Sequence, residues 1–207
     1  MENTREKLKI LAFSDVHGDK QLIASLHKKA EEEQVDLVLI CGDFTDYKEE
    51  ATEGLIKTFL DKKTPVAIMS GNHEDSMSTA VLSDIYGITH LHGRSISYKG
   101  VGIFGSGGTT QIGPHRISER EMADNLKAAH DRISYCKKKI MVTHEHPSES
   151  SFELDVFPGS KSIKEAVTQF KPDILLCGHI HECEGVEEII DETRVINVSK
   201  RGRIIEL

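Results

Sequence analysis

The chain has 207 residues, with 26 lysines and arginines against 34 aspartates and glutamates and a formal net charge of −8. A hydrophobic share of 38% is enough for a core and excludes a disordered chain, and no apolar run approaches the roughly 20 residues of a membrane span. The acidic balance disfavours a nucleic-acid partner, because phosphate neutralisation needs a surplus of Lys and Arg. In chain order, Met1–Lys9 is charged and polar, without the apolar centre of a signal peptide, which gives a cytoplasmic expectation. Leu8–Phe13 is a first apolar run. Gln21–Glu33 predicts a helix, with Leu22, Ile23, Leu26 and Ala30 at helical spacing. Val35–Cys41 is a second run, the polar-faced stretch 49–62 reads as helix, and Val66–Met69 is a third run. Ile88–Leu91, Ser95–Tyr98 and Gly102–Phe104 read as short strands between glycines, and Gly105–Gly113 as a surface loop over a site. Ser118 with Glu121 forms a capping box for a helix to Tyr135. A strand over Lys139–Thr143 precedes a helix over Ser160–Phe170, capped by Ser160 and ended by Pro172. Ile174–Cys177 is a further strand, and Val186–Ile190, Val195–Val198 and Arg203–Leu207 read as a β-meander.

Strands alternating with helices predict an α/β fold with a mostly parallel sheet, and the β-rich middle and tail add a second, mixed sheet. The economical arrangement is a four-layer α/β/β/α sandwich, in one domain spanning 1–207 at this length. Cys41, Cys136, Cys177 and Cys183 form no C-x-x-C pair and read as buried structural thiols.

The chemistry follows the apolar runs. The first leads into Ser14-Asp15-Val16-His17-Gly18, the second into Gly42-Asp43-Phe44-Thr45-Asp46, and the third into Ser70-Gly71-Asn72-His73-Glu74. Ile140–Thr143 leads into His144-Glu145-His146, and Ile174–Cys177 into Gly178-His179-Ile180-His181. In a parallel sheet the carboxyl ends of the strands share one edge, where α/β ligands bind. Imidazole and carboxylate without thiolate suit Zn, Fe, Mn or Ni rather than Cu(I) or an iron–sulfur cluster. The set has too many groups for one ion and fits two metals roughly 3.5–4 Å apart. Each motif alone has a bland reading, Asp15 as a helix cap for instance, but five in succession at strand ends do not. His27, His90, His92 and His130 have no partner pattern and read as structural. His115 and His146 stand between the two readings.

D-x-H, G-D-x-x-D, G-N-H-E, a lone His after a strand and G-H-x-H together resemble the calcineurin-like metallophosphoesterases, over Leu8 to Val198. The opening KILAFSDVHG and the stretch LLCGHIHECEGVEE look most like a branch of small prokaryotic phosphoesterases allied to cyclic-nucleotide phosphodiesterases. The resemblance implies that Asp15, His17, Asp43 and His181 hold a first divalent metal. Asp43 would bridge, and Asn72, His144 and His179 would complete a second site. Manganese comes first, with iron, zinc or nickel as alternatives. His73, oriented by Asp46, would protonate the leaving group, after in-line attack by a metal-bridging hydroxide on a small phosphate ester, a phosphodiester first. Loops Gly105–Arg116 and Glu145–Lys161 would form the rim, with His115, Arg116 and His146 as substrate-binding candidates. No arginine adjoins the motifs, and Arg94 and Arg116 are the loop candidates for anchoring phosphate. Other readings are a phosphomonoesterase or protein phosphatase on the same site, a non-catalytic metal-binding scaffold, and a nuclease subunit. A homo-oligomer is compatible with the sequence, and a membrane partner is not expected. The absence of H-x-H-x-D-H and of G-x-x-x-x-G-K-[ST] excludes metallo-β-lactamase and P-loop chemistry.

Overall fold

The computed structural model describes residues 7–47, 56–61 and 64–207. The strands are β1 (Lys9–Phe13), β2 (Leu37–Cys41), β3 (Val66–Met69), β4 (Thr89–His90), β5 (Arg94–Tyr98), β6 (Val101–Ser106), β7 (Lys138–Thr143), β8 (Ile174–Cys177), β9 (Glu187–Ile190), β10 (Thr193–Asn197) and β11 (Arg203–Glu206). The helices are α1 (Lys20–Glu32), α2 (Lys57–Leu60), α3 (Ser76–Tyr86), α4 (Glu119–Asp131) and α5 (Lys161–Phe170). One sheet has the order β11-β1-β2-β3-β4 and the other β5-β6-β7-β8-β10-β9. Strands β1 to β4 run parallel, as do β6, β7, β8 and β10; β11, β5 and β9 are antiparallel additions at the edges.

The layers follow from burial on both faces of each sheet, which is why the strands read as unbroken apolar runs. Ile10, Leu39 and Met69 of the first sheet meet Ile103, Val142, Leu176 and Ile196 of the second in a shared core. The alternate residues Leu11, Phe13, Val38 and Ile40 pack under α1 and α2 through Ile23, Leu26 and Phe59. On the far side, Phe104, Met141 and Leu175 pack under α4 and α5 through Met122, Leu126, Ile163 and Val167. The result is the expected α/β/β/α sandwich. Gly105 holds the sheets at their closest: a Cβ there would lie 2.7 Å from the Met69 methyl and nearer still to the Val142 carbonyl.

Several expectations need correction. Helix α1 is capped by Asp19, whose carboxylate accepts from Gln21 N at 2.9 Å and Leu22 N at 3.0 Å, so Asp15 is not the cap. Helix α3 has no counterpart among the expected elements. Leu82 and Tyr86 pack inward while Met77, Val81 and Ile85 face outward, so it lacks the polar face that marks a surface helix. Its punctuation is present in the sequence: Asp75 caps Ser78 N, and Gly87 takes the left-handed closing position with φ 63°. The tail is not a meander, because β11 leaves β9 and β10 to pair with β1 in the other sheet. Arg94 starts β5 and is not in a loop. Residues 105–109 are buried, so only the distal part of the expected loop 105–113 is surface. Of the expected helix 49–62, α2 is the described part, and 48–55 and 62–63 lie outside the described residues. Among the described residues no helix is long and apolar enough to cross a membrane. All four cysteines are buried and free, as expected.

Candidate metal centre

The strand-end motifs converge where the carboxyl ends of both sheets meet. The ligand atoms of Asp15, His17 and His181 lie within 4.8 Å of one another, and so do those of Asp43, His144 and His179. A third such group joins His17, Asp46 and His73. In the first group His181 Nε2 is 3.4 Å from Asp15 Oδ1 and 3.3 Å from His17 Nε2. In the second, His144 Nε2 is 3.3 Å from Asp43 Oδ2 and 3.2 Å from Asn72 Oδ1. His73 stands at the mouth, with Nε2 3.6 Å from Asp43 Oδ2 and Nδ1 3.5 Å from Asp46 Oδ1. Its ring stacks on Tyr47 at 3.7 Å between centroids. A cleft of about 400 Å3 opens over both groups, closed at its rim by Ile112, Gly113 and Phe157.

The backbone aims these side chains under strain. Asp15, His17, Asp43 and His179 all have positive φ, at 58°, 47°, 49° and 68°. That region is sparsely populated by residues with a side chain, and such strain persists only where surrounding contacts over-determine it. Two glycines are required by contact: a Cβ on Gly71 would fall on Asp43 Oδ1, and one on Gly178 would come within 2.6 Å of Asp15 Oδ2. Glu74 organises the centre without facing the cleft. Its buried carboxylate accepts from the amides of Gly71 at 2.8 Å, Asp43 at 3.1 Å and Thr45 at 2.8 Å. The sequence motif contains it without assigning it a role; a Glu directly after the Asn-His pair is the available signal.

The electrostatics call for cations. Burial alone would raise the Asp15 carboxyl, but the hydrogen bond to His181 and the nearby His144 hold it below its usual range. Asp43 is likewise held low against burial, chiefly by His144. Burial of His144 opposes its charge, yet Asp43 and Asp15 together push it up to about 10. His179, half-buried, is brought down to about 3 by desolvation and by its neighbour His144. Two buried carboxylates thus draw a proton onto the most buried imidazole, while the described residues lining the cleft include no lysine or arginine. The His144 Nδ1 lies 2.9 Å from the Cys41 carbonyl, so Nδ1–H donates there, and Nε2 would offer its lone pair to the centre once a cation replaces the second proton. Carboxylate and imidazole donors converging this way, His17 Nε2 facing His181 Nε2 among them, fit two divalent cations.

The remaining candidates divide. Asp43 sits with the second group, and Asn72 reaches it through its amide oxygen. His115 lines a groove beside His73. Arg116 is exposed, with Nη1 3.4 Å from the Gln111 carbonyl. His146 has no exposed surface and is not among the residues that line the cleft. His27 packs edge-on against Phe59, His130 stacks on Phe170 and His90 on His92, and none belongs to a donor group.

A family model described as calcineurin-like phosphoesterase matches residues 8–183. An uncharacterized protein of Methanocaldococcus jannaschii is 25% identical over 96% of this chain and 91% of its own length. A crystal structure from Thermus thermophilus superposes with a TM-score of 0.78 at 17% identity, over 94% of this chain and 90% of that one. A structure described as a novel archaeal phosphodiesterase gives 0.55 at 19% identity, over 96% and 99%. One described as a dimetal phosphatase from Danio rerio gives 0.63 at 12% identity, over 94% and 88%. At these identities the structures speak for the fold alone, and it is the family model, spanning every strand-end motif, that decides: the chain belongs to the calcineurin-like phosphoesterases.

Proposed function

We propose that the protein, acting as a single metallophosphoesterase domain, is a binuclear metal-dependent phosphodiesterase of the cytoplasm. Asp15, His17, Asp43 and His181 would hold one cation. Asn72, His144 and His179 would hold the other, with Asp43 shared and manganese the favoured ion. The observation that carries this reading is the pair of donor groups under one open cleft, with His73 beside Asp43 and outside both groups. When bound, the cations would neutralise phosphoryl oxygens and ionise a water near neutral pH.

The chain's own residues do the rest. Cys41 O fixes the His144 tautomer, so its Nε2 is a donor at every turnover. The attacking oxygen enters in line with the leaving oxygen. His73, steadied by Asp46 through Nδ1 and by its stack on Tyr47, gives its Nε2 proton to the leaving oxygen. Among the described residues no Lys or Arg lines the cleft, so the second charge of a phosphomonoester would rest on the cations alone, which favours a diester monoanion.

The test is a panel of phosphate esters, cyclic nucleotides included, run with each of Mn2+, Zn2+, Fe2+ and Ni2+. Mn2+-dependent turnover of an aryl phosphodiester is expected, and Asp43→Asn should abolish it while the circular dichroism spectrum is retained. Undiminished turnover in that variant would overturn the assignment. Bound metal without turnover on any ester would favour a metal-binding scaffold.

A further inference from the structure

Beside the cleft runs a second groove of about 480 Å3. Tyr47 and His73 line both, so the groove opens from the metal centre at the side where His73 stands. Its wall is α3. Met77, Val81 and Ile85 follow one another at four-residue steps, share one helix face, and are 78%, 53% and 72% exposed. Leu82 and Phe44 line its inner side. A contiguous exposed apolar stripe marks a binding surface more often than it marks ordinary surface. The three aliphatic hydroxyls in the groove are turned onto their own chain, and Tyr47 and His115 are the other uncharged polar groups beside His73. Ser78 Oγ donates to Asp75 Oδ2 at 2.7 Å, Thr79 Oγ1 to the Asp75 carbonyl at 3.0 Å, and Thr45 Oγ1 to Glu74 Oε1 at 3.2 Å. The carboxylates that line it are Glu74, taken up by backbone amides, and Asp75; Asp46 lies in the adjoining cleft, and His115 completes the lining.

We propose that this groove receives the leaving group of the phosphoester, and that this group is an uncharged, predominantly apolar alcohol, aryl or alkyl. The inference rests on the phosphodiesterase reading above and names its substrate class. In-line displacement sends the leaving oxygen away from the attacking one, toward the group that protonates it, and His73 is where cleft and groove join. The bond from phosphorus to the alcohol oxygen breaks, one from phosphorus to the water oxygen forms, and the alcohol leaves with the proton from His73. One proton of the water restores His73 by way of solvent, the second stays with the phosphoryl group or is lost from it to solvent, and the other product is a phosphomonoester. A sugar would find the three aliphatic hydroxyls of the groove already engaged, and a second phosphate would meet the carboxylates of Glu74 and Asp75. The volume falls in the roughly 300–1,000 Å3 range of small-molecule sites, and apolar lining offers affinity in proportion to apolar area.

The experiment uses the full chain with Mn2+ and a series of methyl 4-alkylphenyl phosphate diesters, from 4-methyl to 4-butyl. The phenol acidity is nearly constant along this series, so chain length alone varies. The expected result is a kcat/KM that climbs with the alkyl chain, by up to about four-fold per methylene, and a slope that flattens in Val81→Glu and in Ile85→Glu. Hydrolysis by the wild type with no dependence on chain length would overturn the groove assignment alone. An unchanged slope in both variants would do the same. No hydrolysis of any member would overturn the phosphodiesterase reading and this inference with it. Sedimentation of the same proteins completes the test: a wild-type dimer that Val81→Glu converts to monomer would give the stripe to a second copy of the chain and overturn the proposal.

Discussion

Replacing Glu74 tests whether the centre is built from its backbone outward. The side chain is 6% exposed, and its two oxygens serve separate donors: Oε2 takes Asp43 N and Gly71 N, while Oε1 takes Thr45 N and the Thr45 hydroxyl. Burial and the charge of Asp43 push the Glu74 carboxyl up to about 7 against the pull of these amides. Glu74→Ala strands three buried N–H groups. At about 1–2 kcal/mol for each stranded donor, the loss is about 3–6 kcal/mol, a large part of the roughly 5–15 kcal/mol that holds a domain folded. For a chain of this length each kcal/mol lowers Tm by about 2–4 °C, so the melting point should fall on the order of 10–20 °C. Glu74→Gln keeps one acceptor. Placed against Asp43 N and Gly71 N, it sets its amide group toward Thr45 N–H, a loss of about 1–3 kcal/mol. Thermal unfolding by circular dichroism gives the stability, and metal analysis of the same samples gives occupancy. The order wild type, Gln, Ala should hold in both. An alanine variant that melts within about 2 °C of wild type with full metal content would refute the argument.

His73→Ala should lower kcat by roughly 10²–10⁴-fold, the usual worth of a positioned acid, with metal content unchanged; parallel loss of metal in elemental analysis would make His73 a ligand instead. Chelation should lower Tm, because cations that bind only the folded chain add about 2.7 kcal/mol per site at a concentration of 100 Kd; a melting curve indifferent to EDTA would mean that Asp15 and Asp43 hold no cation.

The strand-end logic made the convergence of the candidate donors legible in the sequence. Asp15, His17, Asp43, Asn72, His144, His179 and His181 all follow apolar runs, and the fold delivers them to one edge because a parallel sheet aligns its carboxyl ends. The four layers were legible for a related reason, since each run is apolar on both faces. What the sequence hid was whatever depends on contacts across the chain. The pairing of β11 with β1 is long-range, and nothing in the four residues Arg203–Glu206 distinguishes a partner for β1 from a third strand of a meander. Helix α3 was hidden because its outward apolar stripe, Met77, Val81 and Ile85, mimics a core pattern. His146, near the site by sequence, has no exposed surface and does not line the cleft.

The positive φ angles at Asp15, His17, Asp43 and His179 have a common cause. Each costs about 1–3 kcal/mol if left unsupported, and four together would consume much of a domain's stability. The supports lie in other loops. Asp15 N donates to the Gly42 carbonyl at 3.1 Å, His17 N to the Asp43 carbonyl at 3.0 Å and Gly18 N to the Phe44 carbonyl at 2.9 Å, so the loops after β1 and β2 hold each other in register. His179 N donates to Asp15 Oδ2 at 3.1 Å, which locks the loop after β8 to the same carboxylate, 164 residues away in the chain. Asp15 and Asp43 are therefore candidate donors to the centre and also acceptors or anchors for the loops that carry the other candidates. Strain is spread over an interlocked ring of backbone bonds, so the donor geometry belongs to the fold. Each loop depends on a partner that appears in no local stretch of sequence.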